Sequence, residues 1–373
     1  MTRTTKAVQI DPQELYRFYS SELSYFSAKV RPALRYKRLP FVDLLATAEV
    51  YRQVIRPRTG FTFIPILVTP EDETLQDTSD ILDELERRFP TPPLYPKTPV
   101  QRIVAYLWEL YADEFLILPA LHYRWSFPES ETKARADFAA TNGDVAQANR
   151  FADGVKSFIR MAGVLPETIG AIEAHTHELL DDLSAHLVEN AYLLGQRPSL
   201  ADLALLGPFY AHLYLDAVPA RLLRERAPRV CHWIERMNHP DPDDPGEWLA
   251  GDAIAPTMRP MLERIGRDAI PILLDTVRDF EAWADRQAAD WSEPPRAVGM
   301  HRTALRGIGF DRYTSPYTLW MVQRPRDAYA KLTDAERAAV DRALAGTGCE
   351  ALFAERSRYR LGKSRFRLTR VSA

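Results

Sequence analysis

Hydrophobic and polar positions alternate most clearly near the start of the chain. Leu15-Tyr16-Arg17-Phe18-Tyr19 is an apolar, aromatic run and predicts a strand. A polar turn over residues 20–24 follows, and Ser24-Tyr25-Phe26-Ser27-Ala28-Lys29-Val30-Arg31 opens a helix. Phe63-Ile64-Pro65-Ile66-Leu67-Val68 predicts a strand entered through a proline. Leu75-Gln76-Asp77-Thr78-Ser79-Asp80-Ile81 begins the next helix, expected over residues 80–89. Prolines at 90, 92, 93 and 96 deny both helix and ladder donors, so residues 90–96 read as a linker. Beyond it the apolar spacing turns helical. Ile103, Leu107, Leu110, Tyr111 and Phe115 lie near helical intervals within residues 100–118. Further helices are expected over 144–162, 166–189, 200–215 and 219–238, with Ser199 and Asp202 forming a capping box. A second proline-rich break covers 239–245.

The last third has a different texture. Residues 256–291 suit one or two helices, and 332–345 another, capped by Thr333 with Glu336 three residues on. Residues 307–324 are rich in aromatics and lack clear periodicity. Arg358-Tyr359-Arg360-Leu361 and Arg365-Phe366-Arg367-Leu368 alternate around Gly362-Lys363, which predicts a hairpin with one basic face. That face is expected to fold back on the acidic bulk of the protein.

Three devices suited to one peptide ligand converge in the first ninety residues. A helix start leaves N–H groups unpaired and carries the positive dipole end, so a thiol held there loses its proton more readily. Ser24 places a hydroxyl at that point. Ile64-Pro65 sets an extended backbone, with a cis bond allowed, whose Ile64 groups can pair with an extended peptide. Asp77 and Thr78 offer a carboxylate, a hydroxyl and free N–H groups to an amino-acid head group. As a plain alternative, Ser24 and Asp77 simply cap their helices. Tyr19 and Ser20 are the fallback hydroxyls.

These residues resemble the thioredoxin-like N-terminal domain of the glutathione transferase superfamily, as Ser24…Lys29-Val30-Arg31, Ile64-Pro65 and Asp77-Thr78-Ser79-Asp80-Ile81. Gly195-Gln196-Arg197-Pro198-Ser199-Leu200-Ala201-Asp202-Leu203 resembles that family's buried helix. Two departures stand out: Asp77-Thr78 replaces Glu-Ser, and Tyr25 replaces a proline. The resemblance implies an α/β thioredoxin-like domain over 12–90 and an all-α domain over 97–240. Residues 246–373 form a mixed, mostly helical extension that the family pattern leaves unexplained. It further implies glutathione as co-substrate, bound by Ile64, Pro65, Asp77 and Thr78. Ser24 would be the catalytic residue stabilising its thiolate. A small hydrophobic electrophile would be the acceptor, in a pocket walled by Tyr111 and Phe115 with Tyr25 and Phe26 opposite. A homodimer is implied as well. Arg56 and Arg58 are weighed for the glycine carboxylate. A non-catalytic binding or scaffold protein, or a carrier of hydrophobic ligands, is the competing reading.

Composition narrows this little. The 373 residues suffice for two or three domains, and a net charge of −3 argues against general nucleic-acid affinity. Two distant cysteines, Cys231 and Cys349, fit no metal or redox spacing, so a reducing compartment and no metal are expected. His175, His177 and Glu178 do not face one point on a helix and are expected on a solvated face. The first ten residues lack an apolar targeting segment and no run is long enough to span a bilayer, so a cytoplasmic protein is expected.

Overall fold

The computed structural model of the protein describes residues 14–288 and 290–371. The first ten residues, and residues 12 and 13 of the expected first domain, lie outside the described residues.

The N-terminal part runs β1 (Tyr16–Ser20), α1 (Tyr25–Tyr36), β2 (Phe41–Leu45), α2 (Ala48–Val50), a wide turn of helix (Tyr51–Ile55), α3 (Arg56–Thr59), β3 (Ile66–Val68), β4 (Thr74–Gln76) and α4 (Thr78–Arg88). Its four strands lie in the order β2-β1-β3-β4. β1 and β2 are parallel, joined through α1, and β3 runs antiparallel to both β1 and β4. This is the thioredoxin-like arrangement. The strands β2 and β4 escape a pattern reading. β2 is half-exposed at one edge, and β4 is three residues long where the sequence suggested a helix start.

A helical part follows: α5 (Pro99–Glu114), α6 (Ile117–Trp125), α7 (Pro128–Asn142), α8 (Val145–Ala162), α9 (Pro166–His186), α10 (Leu200–Pro208), α11 (Ala217–Arg226) and α12 (Pro228–Asn238). α10 is wholly buried and crosses α1 closely. A Cβ on Gly207 would sit 2.8 Å from the Tyr25 carbonyl oxygen, so no side chain fits there. Asp202 fixes the start of α10. One oxygen accepts the Ser199 N–H (3.0 Å) and O–H (2.8 Å); the other accepts Leu193 N–H (2.9 Å) and Trp233 Nε1–H (3.2 Å).

The extension contains α13 (Met258–Arg264), α14 (Ile270–Asp285), the hairpin β5 (Met300–Leu305) and β6 (Ile308–Tyr313), α15 (Pro316–Ala330), α16 (Asp334–Leu344), α17 (Ala351–Ala354), and the hairpin β7 (Arg360–Ser364) and β8 (Arg367–Val371). The expected turn at Gly362-Lys363 is corrected. The chain reverses at Arg365-Phe366, both at positive φ, and Gly362 and Lys363 lie within β7. The extension is no appendage: Met258, Met261, Phe280, Leu319, Met321, Val340 and Leu361 belong to one buried core shared with Phe18, Leu34, Leu107 and Leu205.

Asp202→Ala leaves the Leu193, Ser199 and Trp233 donors buried without an acceptor. We expect it to cost about 3–5 kcal/mol of unfolding free energy in urea titrations. A loss under about 1 kcal/mol would mean that α10 is held by packing alone.

Candidate functional site

The three devices sit at three adjoining points. Ser24 caps α1 in an extended conformation, and its Oγ accepts the Ser27 N–H at 3.1 Å. That leaves the hydroxyl proton free to donate. The N–H groups of Tyr25 and Phe26 have no partner among the described residues, as expected at a helix start. The Ile64–Pro65 bond is cis, and the Ile64 backbone N–H and C=O likewise meet no partner among the described residues. Asp77 caps α4 at φ +79°, and its Oδ1 accepts the Ser79 N–H at 3.0 Å. Thr78, the first residue of α4, is buried.

The extension reaches this point. Asp77 Oδ2 accepts the Tyr317 hydroxyl at 2.6 Å and lies 2.9 Å from the Lys363 ammonium, which also pairs with Asp80 at 2.8 Å. Burial opposes ionisation of Asp77, but Lys363 and Tyr317 outweigh it and hold its carboxyl below the ordinary range. Beside it, burial pushes Asp80 up to about 6 against the pull of Lys363. The hairpin therefore folds onto acidic side chains, and it does so at the expected head-group site. Two arginines of the extension close the flank: Arg367 of the hairpin stands over the Phe61 ring at 5.0 Å, and Arg296, ahead of β5, over Phe63 at 4.0 Å. A cleft of about 280 Å³ runs between β4 and the hairpin turn, bounded by Gln76, Asp80, Lys363 and Phe366.

Several expected residues lie elsewhere. Tyr111 and Phe115 are corrected from pocket wall to core. They occupy the side of α5 opposite Glu109 and Asp113, stack on each other at 5.6 Å and pack against His175. Tyr25 is buried too, its ring against His212 and its hydroxyl donating to the Ala112 carbonyl. Phe26 remains half-buried at the helix start. Ser20 donates to Asp43 and accepts from Arg31, so its hydroxyl is engaged, while Tyr19 packs with Ile55 and Ile66. Arg58 is paired with Asp72. His175 is not solvated: neutral through burial, it accepts the Tyr111 hydroxyl (2.5 Å) and donates to Asp268 (2.7 Å). Among the described residues, no group of three or more His, Cys, Asp or Glu could hold a metal ion, and no helix is long and apolar enough to cross a membrane.

Pattern reading missed four residues that gather near Asp77: Asp113 and Glu114 at the end of α5, and Tyr317 and Thr318 at the start of α15. Glu114 accepts the Thr318 hydroxyl at 2.5 Å, and burial pushes its carboxyl up to about 7. Burial likewise carries Asp113 up to about 6 despite its Lys29 partner.

Two segments of the chain match known family models. Residues 18–93 match the model for the glutathione S-transferase N-terminal domain, and residues 169–241 the model for its C-terminal domain. The chain therefore carries glutathione S-transferase N-terminal and C-terminal domains, with the extension outside both models. No curated protein matches it. Among solved structures, it is similar to a glutathione S-transferase from Methylobacterium radiotolerans in complex with glutathione sulfonate (22% identity, 64% of this chain, 97% of that one, TM-score 0.40). It is also similar to the β-etherase LigF from Sphingobium sp. strain SYK-6 (17%, 67%, 99%, TM-score 0.44) and to FzlA from C. crescentus (21%, 65%, 96%, TM-score 0.41).

A raised folded-state pKa means that the folded protein holds a proton the unfolded chain has lost. Stability contributed by Glu114 is therefore full below its ordinary 4.5 and falls as pH rises towards about 7. Glu114→Gln is expected to remove roughly 1–3 kcal/mol of that fall. Urea unfolding of both proteins at each end of the window checks this, and parallel pH curves would refute it.

Proposed function

We propose that the protein is a glutathione-dependent transferase in which Ser24 stabilises the glutathione thiolate for attack on a hydrophobic electrophile. The observation that supports it most directly is the Ser24 hydroxyl, with its proton free, at the unpaired start of α1 in a family whose domains the chain carries. In this reading the Ile64 backbone ahead of Pro65 pairs with the extended cysteinyl part of glutathione. Asp77 and Thr78 receive its γ-glutamyl head group, and Phe26 lies on the acceptor side. Rate enhancement comes from thiolate formation and from positioning. The same reading includes a cytoplasmic homodimer and a division at 12–90, 97–240 and 246–373.

One observation favours the second reading, a non-catalytic binding or scaffold protein. Asp77 Oδ2 already holds a cation and a hydroxyl from the extension. A ligand α-ammonium must share or displace Lys363.

Calorimetric titration with glutathione separates the two. Binding at micromolar to low-millimolar strength, about 4–8 kcal/mol, is expected. Absence of heat would leave the scaffold reading. Ser24→Ala should keep that binding and lose turnover with an electrophile, along with the ultraviolet absorbance of the bound thiolate. Unchanged turnover would remove Ser24 from the chemistry. Lys363→Met should tighten glutathione binding roughly threefold to tenfold by freeing Asp77. Weaker binding would instead make Lys363 a ligand for a glutathione carboxylate.

A further inference from the structure

A second cleft, of about 430 Å³, lies at the opposite end of α5 from Asp113 and Glu114. The 16 residues of α5 put its two ends roughly 20 Å apart. Three parts of the chain meet at this cleft: α4, the start of α5, and the turn from α15 into α16. The extension therefore builds one of its walls.

The lining carries four cations, Lys97, Arg102, Arg324 and Lys331, against three carboxylates, Asp83, Asp327 and Glu336. All three carboxylates are already engaged. Asp83 accepts both Nη groups of Arg324, at 2.7 and 2.9 Å, and the Tyr95 hydroxyl at 2.7 Å. Asp327 accepts both Nη groups of Arg360. Glu336 accepts the Thr333 N–H at 2.7 Å and its hydroxyl at 2.8 Å, in the capping box of α16. Among the cations only Arg324 is fully paired, with Asp83 and Glu109. Lys97 and Lys331 have no side-chain partner among the described residues. Arg102 engages Nε alone, which donates to the Pro96 carbonyl at 2.8 Å. That bond ties the guanidinium to the linker and leaves both Nη groups open.

The helix start itself plays no part, because Asp252 accepts the Val100 N–H at 2.8 Å and the Gln101 N–H at 3.0 Å. A solvated charge run would set its cations beside its own acids along one face. Here unpaired donors from two distant parts of the chain border one concavity, where low-dielectric walls focus their field. An apolar floor accompanies them. Tyr106 and Leu332 are half-buried in the lining. The Tyr106 ring is fixed by Arg324 Cζ at 5.4 Å and by Tyr95 at 6.1 Å, and its hydroxyl meets no partner among the described residues.

We propose that this cleft binds a nucleotide-sized organic phosphate, its charges received by Lys97, Arg102 and Lys331 and its body resting on Tyr106 and Leu332. The site goes beyond the transferase reading and stands without it. Phosphate groups spread close to two charges each over three acceptor oxygens, which suits two separate ammonium groups and an open guanidinium fork. A volume near 430 Å³ lies in the range of small-molecule sites, with room for more than an inorganic anion.

The test is calorimetric titration of the full chain with ADP and with adenosine, in the absence of glutathione. The two share an organic body and differ in charge. ADP is expected to bind once per chain, about tenfold or more tightly than adenosine, and to weaken as salt is raised. The double variant Lys97→Met, Lys331→Met should weaken ADP binding about tenfold or more. Its melting temperature and its glutathione titration should stay as in the wild type, because both side chains are exposed. Failure of ADP to bind at millimolar concentration would overturn the proposal. So would equal binding of ADP and adenosine, or ADP binding that the double variant leaves unchanged. ADP binding in a protein that ignores glutathione would sink the transferase reading and leave this site standing.

Discussion

The geometry of the site depends on one buried ammonium. Lys29 is fully enclosed and lies 2.9 Å from Glu109, 2.6 Å from Asp113 and 3.3 Å from the Ser79 hydroxyl. Burial alone would favour its neutral form, but the two carboxylates outweigh that and raise its pKa. Glu109 is shared with Arg324, which also grips Asp83 at 2.7 Å. Removing any member strands a buried charge, at a cost of order 3–5 kcal/mol. The network therefore specifies more than it stabilises. It sets α1, α4, α5 and α15 at fixed depths relative to one another. Those four helices contribute Ser24, Asp77, Glu114 and Tyr317 at their ends. A shift of any one helix would move a site residue and break a charge pair together.

Seen from this network, the extension is part of the construction of the first two domains. Arg324 completes the charge balance around Glu109, Met321 lies 4.0 Å from the Ser79 hydroxyl, and the core runs without interruption from Phe18 to Leu361. A charge cluster built for Lys29 alone would carry an excess carboxylate in a dry interior. Arg324 neutralises it, which is why burial does not protonate Glu109: Arg324 and Lys29 together hold its carboxyl down to about 2. Asp113 has only Lys29, and there burial wins.

The parts legible in the sequence were those with local causes. Ser24, Asp202 and Thr333 announce helix starts through capping chemistry that involves three or four consecutive residues. Ile64-Pro65 marks itself by the proline. β4 was hidden because three residues give no period, and α15 because both Pro325 and burial on several faces erase amphipathicity. The hairpin turn at Arg365-Phe366 was misplaced because neither residue is the glycine or asparagine that a positive φ usually selects. The facing of α5 was unreadable for another reason. Tyr111 and Phe115 look like a pocket stripe as readily as Glu109 and Asp113 look like a solvated one, and only the Lys29 contact decides which side meets α1.

Long-range residues left no trace at all. Lys363 meets Asp77 across 286 positions, and Tyr317 meets it across 240. These two contacts also fix the electrostatic character of the site. At its head-group end, Asp77 and Asp80 share one cation, so the pair retains a net negative charge that a ligand ammonium can use. Further in, burial holds Glu114 towards neutrality against the pull of Arg312.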